Sequence, residues 1–257
     1  MNDGKTARFY DDLAEVYHLI YADWQASVAR QGEALAKVLR SHWESCHRVL
    51  DAACGIGTQA IGLATQGFDL VASDISAAAV ARAQREAFAL GLDDISFHTA
   101  DLRDLATLRK AGFDAVLACD NALPHLLSED QIVRGLRSMR SRLRPGGGCV
   151  ISARDYAEIE PSGSRMVPYG SRATTEGRVH IFQIWDFRSD RSYDLSMFFV
   201  WERDEGPETR VFRSRYSTVS LERLEHLMRI AGFVQIERLD EVFFQPILIG
   251  TNPTAPE

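Results

Sequence analysis

The chain has 257 residues, 46% of them hydrophobic and 25% charged, enough for one full core in a single domain or a domain with an inserted lid. Its formal net charge of −7 argues against a nucleic-acid partner, which selects a basic face. The polar N-terminus has no apolar signal core and no run approaches the length of a membrane span, so the expectation is a cytoplasmic protein with no membrane partner.

Apolar and aromatic side chains at Phe9, Leu13, Val16, Tyr17 and Ile20 have helical spacing and predict a helix from Phe9 to Leu19. A second helix is predicted from Trp24 to Leu39, with Val28, Leu35 and Leu39 on one face. Both precede the first strand and can cap the ligand edge of a sheet. A strand over His47–Asp51 then meets Cys54-Gly55-Ile56-Gly57 and a helix through Ala60 to Ala64. Glycines suit that turn because the backbone bends sharply and lets a ligand approach closer than a Cβ permits.

The chain next alternates: strand Asp69–Ser73 ending at Asp74, helix Ala77–Leu90 stopping at Gly91, strand Ile95–Thr99 ending at Asp101, and strand Phe113–Ala118 ending at Asp120-Asn121. Helix Glu129–Leu143 stops at Arg144-Pro145-Gly146-Gly147-Gly148, and strand Cys149–Ala153 follows. Such alternation predicts a parallel sheet with right-handed crossovers. The arginines 134, 137, 140, 142 and 144 suit a solvated helix face. Cys46, Cys54, Cys119 and Cys149 show no close-paired spacing, so neither a disulfide framework nor a zinc knuckle is indicated and no metal ligands are assigned.

After Ala153 the period changes to two, over Val179–Trp185, Tyr193–Val200 and Arg210–Ser217, with turn residues at Ser189-Asp190 and Asp204-Glu205-Gly206-Pro207. This predicts an antiparallel lid beside the ligand edge. A helix from Leu221 to Ala231, Gly232, and strands Phe233–Leu239 and Phe243–Gly250 close the fold, with a frayed tail after Thr251. The expected organisation is one domain: a helical cap (9–40), a cofactor-binding core (47–153), a lid insert (154–218), and a C-terminal helix and strands (219–250).

Three cofactor readings compete for the glycine turn. A phosphate-binding loop needs a Lys-Ser/Thr pair after its last glycine, and none is present. A dinucleotide fingerprint, Gly55-x-Gly57-x-x-Ala60, is formally allowed. A site for S-adenosyl-L-methionine needs an acid before the glycines and another ending the next strand, which Asp51 and Asp74 supply.

Taken together, Asp51 to Gly57, Asp74, Asp101, Asp120 and Pro145-Gly146-Gly147 resemble the class I S-adenosylmethionine-dependent methyltransferases over roughly Val49 to Ala153. The resemblance implies an α/β, Rossmann-like sheet, mostly parallel with an antiparallel last strand, a helical cap and a β lid. From Phe9 to about Gly250 the chain is similar to the glycine and sarcosine N-methyltransferases and their bacterial relatives. That likeness rests on Asp51-Ala52-Ala53-Cys54-Gly55-Ile56-Gly57, on Asn121-Ala122-Leu123-Pro124-His125-Leu126 and on Arg154-Asp155-Tyr156. It departs at Ala157, where an acid often follows the tyrosine.

By this resemblance Arg154 grips a substrate carboxylate, Asn121 helps orient the substrate, and Tyr216 covers it from the last lid strand. Asp74 accepts from both ribose hydroxyls, which a carboxylate can do in bidentate fashion; a dipole-favoured acid at a helix start is its plain alternative. Asp101 accepts from the adenine amine, unless it is a solvated loop acid. Asp51 orders the glycine turn and helps place the donor's ammonium. Ala53, Gly55, Ile75, Leu102 and Asp120 complete the expected cofactor contacts. Tyr10, Tyr17 and Trp24, seven apart, form aromatic walls around the sulfonium or pack as core. Arg30 either forks onto the donor's carboxylate or points outward. For Arg154 the alternative is an ion pair with Asp155, Glu158 or Asp120. His125 is either a general base or a packed histidine bonded to the loop backbone.

The expected activity is methyl transfer from S-adenosylmethionine to a small carboxylate-bearing amine such as glycine or sarcosine. Its rivals are a small-molecule N- or O-methyltransferase with a reshaped lid, a silent donor-binding protein and, more remotely, a nicotinamide oxidoreductase. Base-amine methylation of nucleic acid is disfavoured because Asp120-Asn121-Ala122-Leu123 lacks an Asn/Asp-Pro-Pro-aromatic run. A homodimer through the lid strands is a further expectation.

Overall fold

The computed structural model describes residues 3–175 and 177–254. Strands β1 (Arg48–Asp51), β2 (Asp69–Asp74), β3 (Ser96–Thr99), β4 (Phe113–Ala118) and β5 (Leu143–Ser152) are parallel. β11 (Ile247–Thr251) inserts antiparallel between β5 and β10 (Val234–Leu239), giving the order β10-β11-β5-β4-β1-β2-β3. Burial on both faces follows from near-continuous apolar strands whose successive side chains alternate sides. Val49, Leu117 and Val150 pack with Leu35, Leu39 and Leu63 of α2 (Trp24–His42) and α3 (Thr58–Thr65). Their neighbours Leu50, Val116 and Ile151 pack with Leu136 of α5 (Glu129–Arg140) and Leu224 and Met228 of α6 (Leu221–Ala231).

Chain order reverses beside β1, which lies between β2 and β4, so the strand tips open a crevice at the carboxyl edge. Asp51, Asp74, Asp101, Asp120 and Arg154 all follow or end successive strands at this edge. Two elements cover it. One is α1 (Asp3–Leu13) with a 3-10 turn over Tyr17–Ile20. The other is an antiparallel sheet of β6 (Ser164–Thr174), β7 (Gly177–Ser189), β8 (Ser192–Trp201) and β9 (Glu208–Ser217). Phe9 and Leu13 pack against the inward lid residues Val179, Ile181, Trp185, Tyr193, Leu195 and Phe199.

Five local readings need correction. The first helix ends at Leu13 rather than Leu19, because Arg82 of α4 (Ala77–Ala89) takes the carbonyls of Ala14 and Glu15 and the chain continues with i→i−3 bonds. α5 stops at Arg140, and Pro145-Gly146-Gly147-Gly148 is drawn into β5, since Asn252 exchanges backbone bonds of 2.8 Å with Gly146 and Gly147. Asn252 is therefore tied down where a frayed tail was expected; residues 255–257 lie outside the described residues. Strand β6 was not foreseen, being an exposed edge strand interrupted at Pro168 and Gly170. The last strand starts at Ile247 rather than Phe243.

α2 and α3 cross at glycine: a Cβ on Gly32 would lie 2.3 Å from the Gly62 backbone, and one on Gly62 would lie 2.4 Å from the Val28 carbonyl. Backbone cannot yield as a flexible side chain does. Gly32→Ala is expected to destabilise by about 1–3 kcal/mol or more, read as a fall in thermal midpoint. Gly4→Ala, with nothing within 4 Å of the added carbon, is the control and should be neutral or slightly stabilising.

Candidate active site

β1 ends in the turn Asp51 to Gly57, where Gly55 and Gly57 adopt φ of +50° and +93°. No protein atom lies within 4 Å of a Cβ built on Gly55, which lines a cavity at the carboxyl edge. Asp74 locks the turn to β2: one carboxylate oxygen accepts from Gly55 N (2.9 Å) and the other from Ser76 N (2.9 Å). Burial raises the Asp74 carboxyl above its usual range against these donors. Asp51 is fully buried behind the turn, where Oδ1 accepts from Ala53 N (3.4 Å) and Oδ2 has no partner. Burial, reinforced by Asp74, pushes the Asp51 carboxyl up to about 7.

The far end of the cavity is lined by Asp101, Leu102 and Arg103. Asp101 accepts from Arg103 N (2.8 Å) and from the Arg103 guanidinium, which holds it below the usual carboxylate range despite partial burial.

The cap closes the near side. Asp11 accepts from Ser76 Oγ (2.6 Å) and Ala78 N (3.0 Å), docking α1 onto the start of α4. The turn that Arg82 imposes then directs Tyr17 and Tyr21 inward, and both phenols donate to Asp120 Oδ2, at 3.4 and 3.2 Å. Tyr10, Tyr17 and Tyr21 all line this cavity.

A second pocket lies between Asp120 and the lid. It is lined by Asp120, Asn121, Arg154, Tyr169, Tyr193 and Tyr216, among others. Asp120 and Asn121 have φ of +53° and +64°, consecutive left-handed residues at the tip of β4. The Ser152 end of β5 holds them: Ser152 Oγ accepts from Asp120 N (2.8 Å) and Ser152 O from Asn121 N (3.0 Å). Asn121 donates to Tyr156 OH (2.8 Å) and accepts from Arg154 N (3.1 Å), so its amide fixes the segment after β5.

The Arg154 guanidinium lies 5.3 Å from the Trp185 ring centre and 3.5 Å from Tyr169 OH. No carboxylate among the described residues pairs with it; Asp155 goes instead to Arg238, at 2.7 Å. All seven tyrosines of the chain converge here. Six line the two pockets or the adjoining open cleft, and Tyr156 bonds Asn121 and Tyr193 OH.

The expected site residues thus fall into groups. Tyr10, Tyr17, Ala53, Gly55, Asp74, Ile75, Asp101, Leu102 and Asp120 line one cavity, and Asn121, Arg154 and Tyr216 meet in the next. Asp51 stands behind the first cavity. Trp24 does not reach it: its indole donates to Thr58 Oγ1 (2.9 Å) and its ring packs beside Ile56 and Ala79. Arg30 is exposed on α2, bonded to Ser27 Oγ (3.1 Å), because helical phase turns it outward.

His125 is buried, as expected of a packed histidine, but its bonds are to side chains, not to loop backbone. Tyr10 OH lies 2.7 Å from Nε2 and Ser214 Oγ 3.4 Å from Nδ1, with the Tyr216 ring centre 4.0 Å away. Burial and Arg154 lower its pKa to about 3, which makes it a poor proton acceptor. Tyr21, Thr58, Gln59 and Tyr169 were missed; Tyr21 alone carried a signal, four residues after Tyr17.

Residues 49–147 match a family model described as a methyltransferase domain. The chain is 27% identical to mouse (Mus musculus) glycine N-methyltransferase over 241 residues, covering 86% of this chain and 80% of that one. It is 32% identical to glycine/sarcosine N-methyltransferase of Parasynechococcus marenigrum (strain WH8102) over 145 residues, 56% of this chain and half (50%) of that enzyme. Among solved structures, the sugar N-methyltransferase KedS8 from Streptoalloteichus sp ATCC 53650 superposes with a TM-score of 0.77 at 21% identity. That superposition covers 94% of each chain and shows the same fold.

Asp51 sets a pH dependence. Its folded carboxyl titrates near 7 against an ordinary value of 3.8, so the folded state holds the proton more tightly than the unfolded one. The associated stability is full below about pH 4 and is lost as pH rises through about 7. Ligand-free Asp51→Asn is therefore expected to gain on the wild type between pH 5 and pH 8, read as a widening difference in urea midpoint. A constant difference would rule this out.

Proposed function

We propose that this chain, a class I S-adenosylmethionine-dependent methyltransferase, methylates the amine of a small carboxylate-bearing molecule, with glycine and sarcosine as leading candidates. The observation that carries the substrate reading is Arg154. Its guanidinium faces a tyrosine-lined pocket at the sheet's ligand edge, and among the described residues no carboxylate lies within ion-pair distance of it. A partly desolvated guanidinium held by only a ring face and a long phenol contact is left short of acceptors, and a substrate carboxylate would satisfy it bidentately.

The first cavity fits the donor. Gly55 leaves its approach clear of a Cβ. Each Asp74 oxygen spends one lone pair on a backbone N–H and keeps another for a ribose hydroxyl. Asp101 and Leu102 suit the adenine end, and Asp51, buried behind the turn, orders it through Ala53 N rather than reaching the ligand. When bound, S-adenosylmethionine supplies a sulfonium-activated methyl carbon that needs no polarisation by the protein.

The remaining work is positioning: Arg154 anchors one end of the acceptor, the Asn121–Tyr156–Tyr193 chain holds Arg154's backbone, and the cap and lid exclude water. The adjoining cleft between Tyr21, Glu158, Arg165 and Phe244 is open, which leaves room for a larger amine such as an amino sugar. That is the second reading, in keeping with the fold shared with a sugar N-methyltransferase.

S-adenosylhomocysteine release is expected with glycine or sarcosine, and Arg154→Ala should raise KM roughly 10- to 100-fold with a smaller change in kcat. Turnover of an amino sugar but neither amino acid would favour the second reading. Asp74→Ala should abolish the rise in thermal midpoint that the donor gives the wild type.

A further inference from the structure

We infer that Asp120 is the group that receives the acceptor's ammonium and takes its proton before methyl transfer, so that Asp120 and Arg154 together select a zwitterion. The inference rests on the reading that the acceptor is a small amine. Five observations support it.

Asp120 is the one acid that lines the donor cavity, the inner pocket and the open cleft together. It shares two of these spaces with Arg154. No cation of the protein lies within ion-pair distance of its carboxylate among the described residues. Its carboxylate accepts only Tyr17 OH, Tyr21 OH and a long contact of 3.5 Å from Gln245 Nε2. Finally, it holds a left-handed φ of +53° beside a second such residue, backbone strain that β5 maintains through Ser152.

The groups that face it decide its proton affinity. From the cap these are Tyr10, Tyr17 and Tyr21; from the strand ends and loops they are Arg154, Gln245 and Cys119; from the lid, Tyr169. Asp155 and Glu158 line the cleft beyond. Burial raises the carboxyl above its usual range, while Arg154 and the two phenol donors oppose the rise. His125 is excluded from the same duty because its pKa is lowered to about 3 and its Nε2 already faces Tyr10 OH.

The balance is simple. An N–H of the ammonium donates to an Asp120 oxygen and the proton passes to it, leaving a neutral amine with a lone pair. That pair forms the N–C bond as the S–C bond breaks, and the S–C electrons return to sulfur. The product is again an ammonium, and Asp120 sheds its proton to water through the open cleft. One proton leaves for each methyl moved.

The test uses the full chain, Asp120→Asn and Asp120→Glu. With glycine at neutral pH, Asp120→Asn should lose about 100-fold in kcat/KM and recover toward the wild type as pH approaches the amine's own pKa. Asp120→Glu should keep most of the activity, and both should keep the donor-induced rise in thermal midpoint. Unchanged kcat/KM and pH profile in Asp120→Asn would overturn the assignment. So would loss of donor stabilisation, which would make Asp120 a donor contact.

Failure of the wild type to turn over glycine or sarcosine retires the carboxylate reading and leaves this one to a probe without a carboxylate. Ethylammonium, titrated by calorimetry into protein saturated with S-adenosylhomocysteine, should bind the wild type and not Asp120→Asn. Absence of wild-type binding, or equal binding to both, overturns the inference.

Discussion

Buried negative charge at the carboxyl edge of the sheet is the constraint on which the site depends. Asp51, Asp74 and Asp120 sit at the tips of β1, β2 and β4, and burial raises the proton affinity of all three. Such charge is tolerated only with compensating donors or cations. The protein supplies backbone N–H groups to Asp74, one to Asp51, and phenols to Asp120. Among the described residues none of the three has a cation within ion-pair distance, whereas Arg103 pairs with Asp101 at the same edge and Arg144 with Asp114. Neutral donors thus carry the compensation at Asp51, Asp74 and Asp120, where an ion pair carries it at Asp101.

The cap follows from the same constraint. Phenols reach Asp120 only because the N-terminal helix stops at Leu13, and it stops there because buried Arg82 occupies the carbonyls that the next turn would use. Asp11 fastens the same helix to the N-terminus of α4, beside Asp74. The segment that covers the site is thus clamped to the helix that follows Asp74. Two side chains, Asp11 and Arg82, carry these contacts between the cap and α4.

The core was legible because its signals are local. Alternating strands and helices, the glycine turn and the acids ending each strand appear in sequence order and land at one edge. So did Arg154 and Asn121, whose places follow from strand ends. What escaped depended on contacts across the fold. Trp24 and Arg30 share a helix with buried residues, and only the packing of α2 decides which face meets the cavity. Tyr169 comes from an edge strand that its proline and glycine hid. The end of the first helix depended on an arginine 68 positions away from Ala14.

His125 shows why residue type alone misassigns a base. An unperturbed imidazole would suit the task at neutral pH, yet this one is enclosed by Tyr10, Tyr216 and Ser214 and titrates far below it. The same tyrosine-rich enclosure acts in the opposite sense on a carboxylate, since burial disfavours whichever form is charged. It lowers the histidine below use and lifts Asp120 towards it. A ring of phenols also has no fixed charge of its own to compete for an incoming cation. Two of its hydroxyls donate to Asp120, a neutral compensation that leaves the carboxylate without an ion-pair partner among the described residues. The convergence of every tyrosine of the chain on this junction has that physical consequence.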